Sequence, residues 1–179
     1  MIDLSIYNCD QAVAKAYLES LQAHIRHVQE AAHKFGLGVP EAQLAVHDQS
    51  KFSVEEFPGY ARHFHGGGDP DGFARAWLHH LHHNCHHWQS WIFPDGFNPS
   101  GSNVENGVVR MPTNYVSEMV ADWLGASMAY TGDWDMMDWL WKNMPKIRLH
   151  SETARELRSL LDMLGYADVI YMQKFAHEQ

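Results

Sequence analysis

Cysteine is scarce in this chain of 179 residues: only Cys9 and Cys85 occur, far apart and outside any CxxC pair. That excludes a disulfide framework and fits a reducing compartment with two free thiols. Long apolar runs are missing too. No stretch reaches the roughly 18 residues of a membrane-spanning helix, and the N-terminal "MIDLSIYNCDQAVAKAYLES" has neither the basic start nor the continuous apolar segment of a secretory signal. Clustered basic charge is a third absence. Lys and Arg total 13 against 22 Asp and Glu, a formal net charge of −9, and no basic block exists to follow a nucleic-acid backbone. Repeats and low-complexity tracts are lacking. With 45% hydrophobic and 12% aromatic residues, the expectation is one soluble domain spanning 1–179, without a membrane or nucleic-acid partner.

Histidine is what the chain has in excess. There are 14, several times the usual share of about two per cent, and six fall within "AWLHHLHHNCHHW", Ala76 to Trp88. The cluster lies mid-chain and is interrupted by Leu81, Asn84 and Cys85, so it is not a purification tag.

Periodicity predicts an all-α fold. Val13, Tyr17, Leu21, His24, Val28 and Ala31 recur at three- and four-residue steps, predicting a helix from Asp10 to Phe35 closed at Gly36. A short helix follows Pro40 toward His47, and Ser53 with Glu56 predicts a capping box opening another. Asp69 and Pro70 supply an N-cap and first residue for the histidine-rich helix. The "HGGGDPDG" before it lacks the Lys-Ser/Thr and preceding strand of a phosphate-binding loop, and reads as a flexible connection. Residues 91–111 form an irregular insertion, read as a small hairpin or lid. Beyond it come a helix over "MPTNYVSEMVADWLGASMAY" with Glu118 and Asp122 one turn apart, a short helix in "DWDMMDWLWKNM", a helix capped by Ser151, and a last helix around Ala167 to Phe175. The seven tryptophans, at helical spacings, read mainly as core.

On a continuous helix, with His83 as reference, His79 lies at about −40°, His80 at about +60°, His86 at about −60° and His87 at about +40°, while His82 falls off that face at about −100°. Up to five imidazoles then share one side, and a cation is the economical way to satisfy them. "HDQSK" adds His47 and Asp48, a neutral imidazole and a carboxylate suited to a divalent ion. "HIRHV" adds His24 or His27, and Asp122 lies on an apolar helix.

In chain order these residues read His, then His-Asp, then Asp. That order resembles the HD superfamily of metal-dependent phosphohydrolases, an all-helical fold whose metal is held by the pattern H...HD...D, matched by His24, His47, Asp48 and Asp122. The local sequences "HDQSKFSVEEF", "AWLHHLHHNCHHWQSW" and "MPTNYVSEMVADW" are similar to those of an uncharacterised family of phage and bacterial proteins, with the likeness continuing into "KNMPKIRLHSET". That similarity makes His79, His80, Asn84, His86 and His87 motif positions, and favours His24 over His27. Some HD branches hold a second metal with two histidines between the HD pair and the last Asp, where the cluster sits. The resemblance therefore implies an HD-like helical bundle in the cytoplasm of a bacterium or phage-infected host. It also implies a metal set of His24, His47, Asp48, His79, His80, His86, His87 and Asp122, holding two divalent ions (Mn, Fe, Zn, Co or Mg) bridged by Asp48.

The expected activity is hydrolysis of a nucleotide or other small phosphate ester, with Asp48 at the centre, Lys51 meeting the phosphate, and Glu118 orienting a ligand or moving a proton. An HD-type dinuclear iron oxygenase and a non-catalytic metal- or nucleotide-binding module are the alternatives. Seven Trp and nine Met leave room for apolar surface and a homo-oligomer.

Overall fold

A computed structural model of the protein describes residues 2–170. The fold is all-α with one small hairpin. Helix α1 (Gln11–Lys34) starts where the Asp10 side chain accepts from the amides of Ala12 and Val13, and it ends at Phe35 before Gly36 turns the chain at φ +60°. Helix α2 (Glu41–Leu44) is one turn after Pro40, and a 3-10 turn (Gln49–Phe52) follows the His47–Asp48 corner. Helix α3 is Phe57–His65 and α4 is Pro70–His83, capped by Asp69 through the amide of Gly72.

The predicted opening of α3 at Ser53 is corrected: the helix starts at Phe57. Ser53 Oγ does accept from the Glu56 amide at 3.3 Å, but the Glu56 carboxylate turns inward to two imidazoles, so half of the capping box is absent. The last helices are α5 (Thr113–Thr131), α6 (Met137–Asn143), α7 (Ser151–Met163) and α8 (Ala167–Ile170). A second correction is at α7, where His150 rather than Ser151 is the N-cap: its Nδ1 accepts from the Glu152 amide. Ser151 instead donates to Glu105 from its amide and its hydroxyl. The rest of the predicted final helix, 171–175, lies outside the described residues.

Within the insertion, β1 (Val104–Glu105) and β2 (Val108–Val109) pair antiparallel across Asn106-Gly107, both with positive φ, and Ile92 bridges to Val108. An Asn-Gly pair is suited to such a tight turn because both positions need left-handed backbone.

Two apolar clusters meet along α1. Its first half packs Ala14, Tyr17 and Leu21 against Tyr7, Phe57, Tyr60, Ala61 and Ala76. Its second half packs Val28, Ala31 and Ala32 into a larger core with Met119, Val120, Leu124, Leu140, Leu157 and Leu161. His24 falls on the same face between Leu21 and Val28, so its imidazole enters the seam between the two cores. Helix α5 crosses α1 closely at Gly125, where an added Cβ would meet Val28 N and Cγ2 at 2.7 Å. The contact lies one turn beyond both His24 and Asp122 and sets their separation. A similar contact joins α3 to α4, where a Cβ on Gly59 would lie 2.5 Å from Gly72 O.

Among the tryptophans, Trp123 is buried and Trp77, Trp88, Trp91 and Trp134 pack against the two clusters. Trp139 and Trp141, 42% and 39% exposed, depart from the core reading because α6 is short and only Leu140 on it is buried. Cys9 and Cys85 are free thiols. No helix among the described residues is long and apolar enough to cross a membrane.

Candidate metal centre

His47 and Asp48 leave the chain at a left-handed corner, Asp48 having φ 57° and ψ 17°. Asp tolerates this conformation better than most residues, yet it still costs on the order of 1 kcal/mol, and such strain concentrates at functional positions. The corner turns both side chains toward α1, α4 and α5. Asp48 is fully buried, and His47, His80, His86 and Glu118 are each at most 3% exposed.

The two carboxylate oxygens of Asp48 face two different groups. Oδ2 lies 3.2 Å from His24 Nε2 and 3.6 Å from His47 Nε2, while Asp122 Oδ1 lies 3.1 Å and 3.6 Å from the same two nitrogens. Oδ1 lies 3.3 Å from His80 Nε2 and 3.7 Å from His86 Nε2, and His80 Nε2 is 2.8 Å from His87 Nε2. Donors about 2.1 Å from a shared ion stand roughly 3.0 Å apart in octahedral and 3.4 Å in tetrahedral arrangement. The contacts of 3.1–3.3 Å in both groups fall in that range, and the remaining separations of 2.8–3.7 Å straddle it. Four of the converging atoms, His24 Nε2, His47 Nε2, Asp48 Oδ1 and His86 Nε2, are buried without a hydrogen-bond partner. Orphaned polar atoms aimed at one another are what a group of metal ligands looks like before the ion is placed. These residues therefore fit divalent cations, with Asp48 common to both groups.

Buried carboxylates behind the imidazoles fix their orientation. Glu118 Oε1 accepts from His47 Nδ1 at 2.8 Å and approaches His86 Nδ1 at 3.4 Å, while Oε2 accepts from the Gln43 amide. Glu118 thus meets His47 through the ring nitrogen opposite the one aimed at Asp48, a position from which it orients ligands. Glu56 does the same on the other side: Oε2 accepts from His80 Nδ1 at 2.9 Å and Oε1 from His79 Nδ1 at 2.7 Å. Asn84 donates to the His80 carbonyl and to Ser50 Oγ.

Neighbouring charges and burial together set the pKa of each group in the cluster. Burial would push His47 down, but Asp48, Asp122 and Glu118 outweigh it and raise its pKa to about 10. His24 is raised in the same way by Asp122 and Asp48 against its own burial. Burial would raise Asp48, yet Lys51, His47 and His24 hold it well below the usual carboxylate range. Burial would raise Asp122 too, yet His24 and His47 hold it well below that range. Burial, then the neighbouring His47 charge, lower His86 to about 3, and burial with His86 lowers His87 as well. Lys51 Nζ sits 2.6 Å from Asp48 Oδ2, and that carboxylate raises its pKa against burial.

The structure brings together His24, His47, Asp48, His80, His86, His87 and Asp122 from the expected set, with Lys51 and Glu118 in contact. It does not bring His79 there: that residue, 29% exposed, pairs with the outer oxygen of Glu56. His27 also stays apart, beside Glu30 and Trp134. The single helix face of five imidazoles is corrected, because α4 ends at His83 and Asn84 is extended. Asn84 takes the His80 carbonyl with its side chain, the chain turns, and His86 and His87 arrive from the turn. Glu56, Gln43 and Ser50 were missed by sequence reasoning. Glu56 stood inside the "HDQSKFSVEEF" run, where its helix-capping spacing with Ser53 masked it.

Residues 13–163 match a family described as a family of unknown function (DUF5662). The chain belongs to that family. The match spans every residue of the cluster, from His24 to Asp122. No curated protein and no solved structure matches the chain.

Proposed function

We propose that this member of the DUF5662 family is a metal-dependent phosphohydrolase of the HD type, acting on a small phosphate ester such as a nucleotide through two divalent ions that share Asp48. The observation that carries the reading is the division of Asp48: one oxygen faces the group of His24, His47 and Asp122, the other the group of His80, His86 and His87, the donor atoms of each group lying within 4.8 Å of one another. The chain order H...HD...D, with added histidines before the last Asp, supports the same assignment.

Two divalent ions supply, when bound, a water acidic enough to lose its proton near neutrality and a positive clamp for phosphoryl oxygens. The chain's own residues do the rest. With the histidines neutral, as ligands must be, Asp48, Asp122, Glu56 and Glu118 against Lys51 leave the cluster at a formal three negative charges, which two divalent cations turn into one positive, and that sign attracts a phosphate. His24, Lys51 and Asp122, with side chains 14–15% exposed, and His87 are the partly exposed members, so the substrate approaches across them. Lys51 is held by Asp48 and, once cations balance that carboxylate, can turn to a phosphoryl oxygen as a point charge. Glu118 and Glu56 keep the ligand tautomers by accepting from Nδ1 of His47 and His80.

The three imidazoles facing Asp48 Oδ1 also suit iron, which keeps the oxygenase reading as the second choice. The test is hydrolysis of nitrophenyl phosphate esters and of a nucleotide panel by protein reloaded with Mn2+ or Fe2+, alongside oxygen uptake with Fe2+. Metal-dependent phosphate release that disappears in Asp48→Ala and Asp122→Asn is the expected result. Oxygen consumption without phosphate release would move the assignment to the oxygenase, and neither activity on any substrate would favour a binding module.

A further inference from the structure

Outside the Asp48 cluster, Glu56, His79 and His83 each present one donor atom, all within 4.8 Å of one another. His79 and His83 are one turn apart on α4, and their rings stack at 3.9 Å between centroids with 18° between planes. His83 Nδ1 donates to the His79 carbonyl at 2.7 Å, fixing the ring's position, and His79 Nδ1 donates to Glu56 Oε1 at 2.7 Å. Glu56 itself is fully buried, whereas His79 is partly exposed and His83 exposed. One oxygen of a buried carboxylate thus meets His79, with His83 stacked beside it, and solvent reaches both imidazoles.

We propose that Glu56, His79 and His83 form a third divalent-cation site, open to solvent and separate from the Asp48 cluster. The donor set, two imidazoles at i and i+4 with one carboxylate, suits ions that prefer imidazole, such as Zn2+, Ni2+ or Cu2+, over Mg2+ or Mn2+. Its place in the last turn of α4, a helix of 14 residues, adds the negative end of the helix dipole. The chain's net charge of −9 acts in the same direction. Glu56 makes this more than a surface chelate, because its other oxygen holds His80 of the inner cluster. One carboxylate therefore spans both places, and an ion outside draws on the group that orients a ligand inside. With three protein donors and a solvent-facing side, the site is expected to exchange its ion readily.

The test uses the full chain stripped with chelator and dialysed against Zn2+, with bound zinc counted for the wild type, His83→Ala and His82→Ala. Both substitutions fall at exposed positions at the end of α4. The wild type is expected to bind one more zinc than His83→Ala, with His82→Ala matching the wild type. The readout is a difference between variants, so it holds whatever number of ions sits at Asp48, and it fails separately from the phosphohydrolase reading. Equal zinc in the wild type and His83→Ala would overturn the proposal. Equal losses in His82→Ala and His83→Ala would overturn it too, by making the uptake a property of the exposed histidines as a class.

Discussion

Replacing Glu118 by Gln keeps the side chain's shape and removes one charge from behind the imidazoles. Glu118 uses both oxygens as acceptors, one toward His47 Nδ1 at 2.8 Å and one toward the Gln43 amide. A glutamine has a single acceptor oxygen, so one of the two donors is left facing an NH2 group. Gln43 cannot readily reverse, because its own oxygen accepts from Asn114. Loss of a charge-assisted hydrogen bond costs about 1.5–3 kcal/mol, and removing such a carboxylate behind a ligand typically weakens metal binding roughly 10–100-fold. His86 is only 3.4 Å from the same oxygen, so the ion on its side is expected to weaken by less than about tenfold. Stepwise titration of the stripped protein with Mn2+, followed by calorimetry, separates the two. Unchanged affinities in Glu118→Gln, or a larger loss at the His80, His86, His87 side, would refute the reasoning.

Proton release gives a second check. The pKa of His47, raised to about 10, means it holds a proton at neutral pH that an ion must displace, and His24 is shifted in the same direction, whereas His86, at about 3, has none to give. Apparent affinity should therefore rise with pH below about 10, and calorimetry in buffers of different ionisation enthalpy should register at least one proton released at pH 7. Gly125→Ala puts a Cβ 2.7 Å from Val28 N, an overpacking worth about 1–3 kcal/mol that should lower the melting temperature by roughly 2–12 °C and weaken metal uptake as His24 and Asp122 part. Asn84→Ala removes the bonds to the His80 carbonyl and to Ser50, and should cost about 1 kcal/mol of stability while weakening the ion near His80 more than the ion near His24.

The helices were legible because their signals are local. Asp69 caps the helix it was expected to cap, and apolar spacing located α1 and α5. His24, His47, Asp48 and Asp122 could be set in order by resemblance, but their convergence depends on α1 and α5 crossing at Gly125, a tertiary contact that periodicity does not encode. The histidine run was misread in its geometry because a helical wheel assumes continuity. Asn84 breaks it with a side-chain bond to the preceding turn, which delivers His86 and His87 by reversal and leaves His79 outside. Glu56 was hidden for the opposite reason: a local capping pattern accounted for a residue whose carboxylate is committed to the histidines of α4.

The central claim is that Asp48 serves two ions at once, and metal content per chain tests it most directly. Stripped protein reloaded with Mn2+ and freed of excess should hold close to two equivalents, and Asp48→Ala should lose both together, because each group shares one of its oxygens. A variant that kept one equivalent, or a wild type that held one or none, would contradict the account.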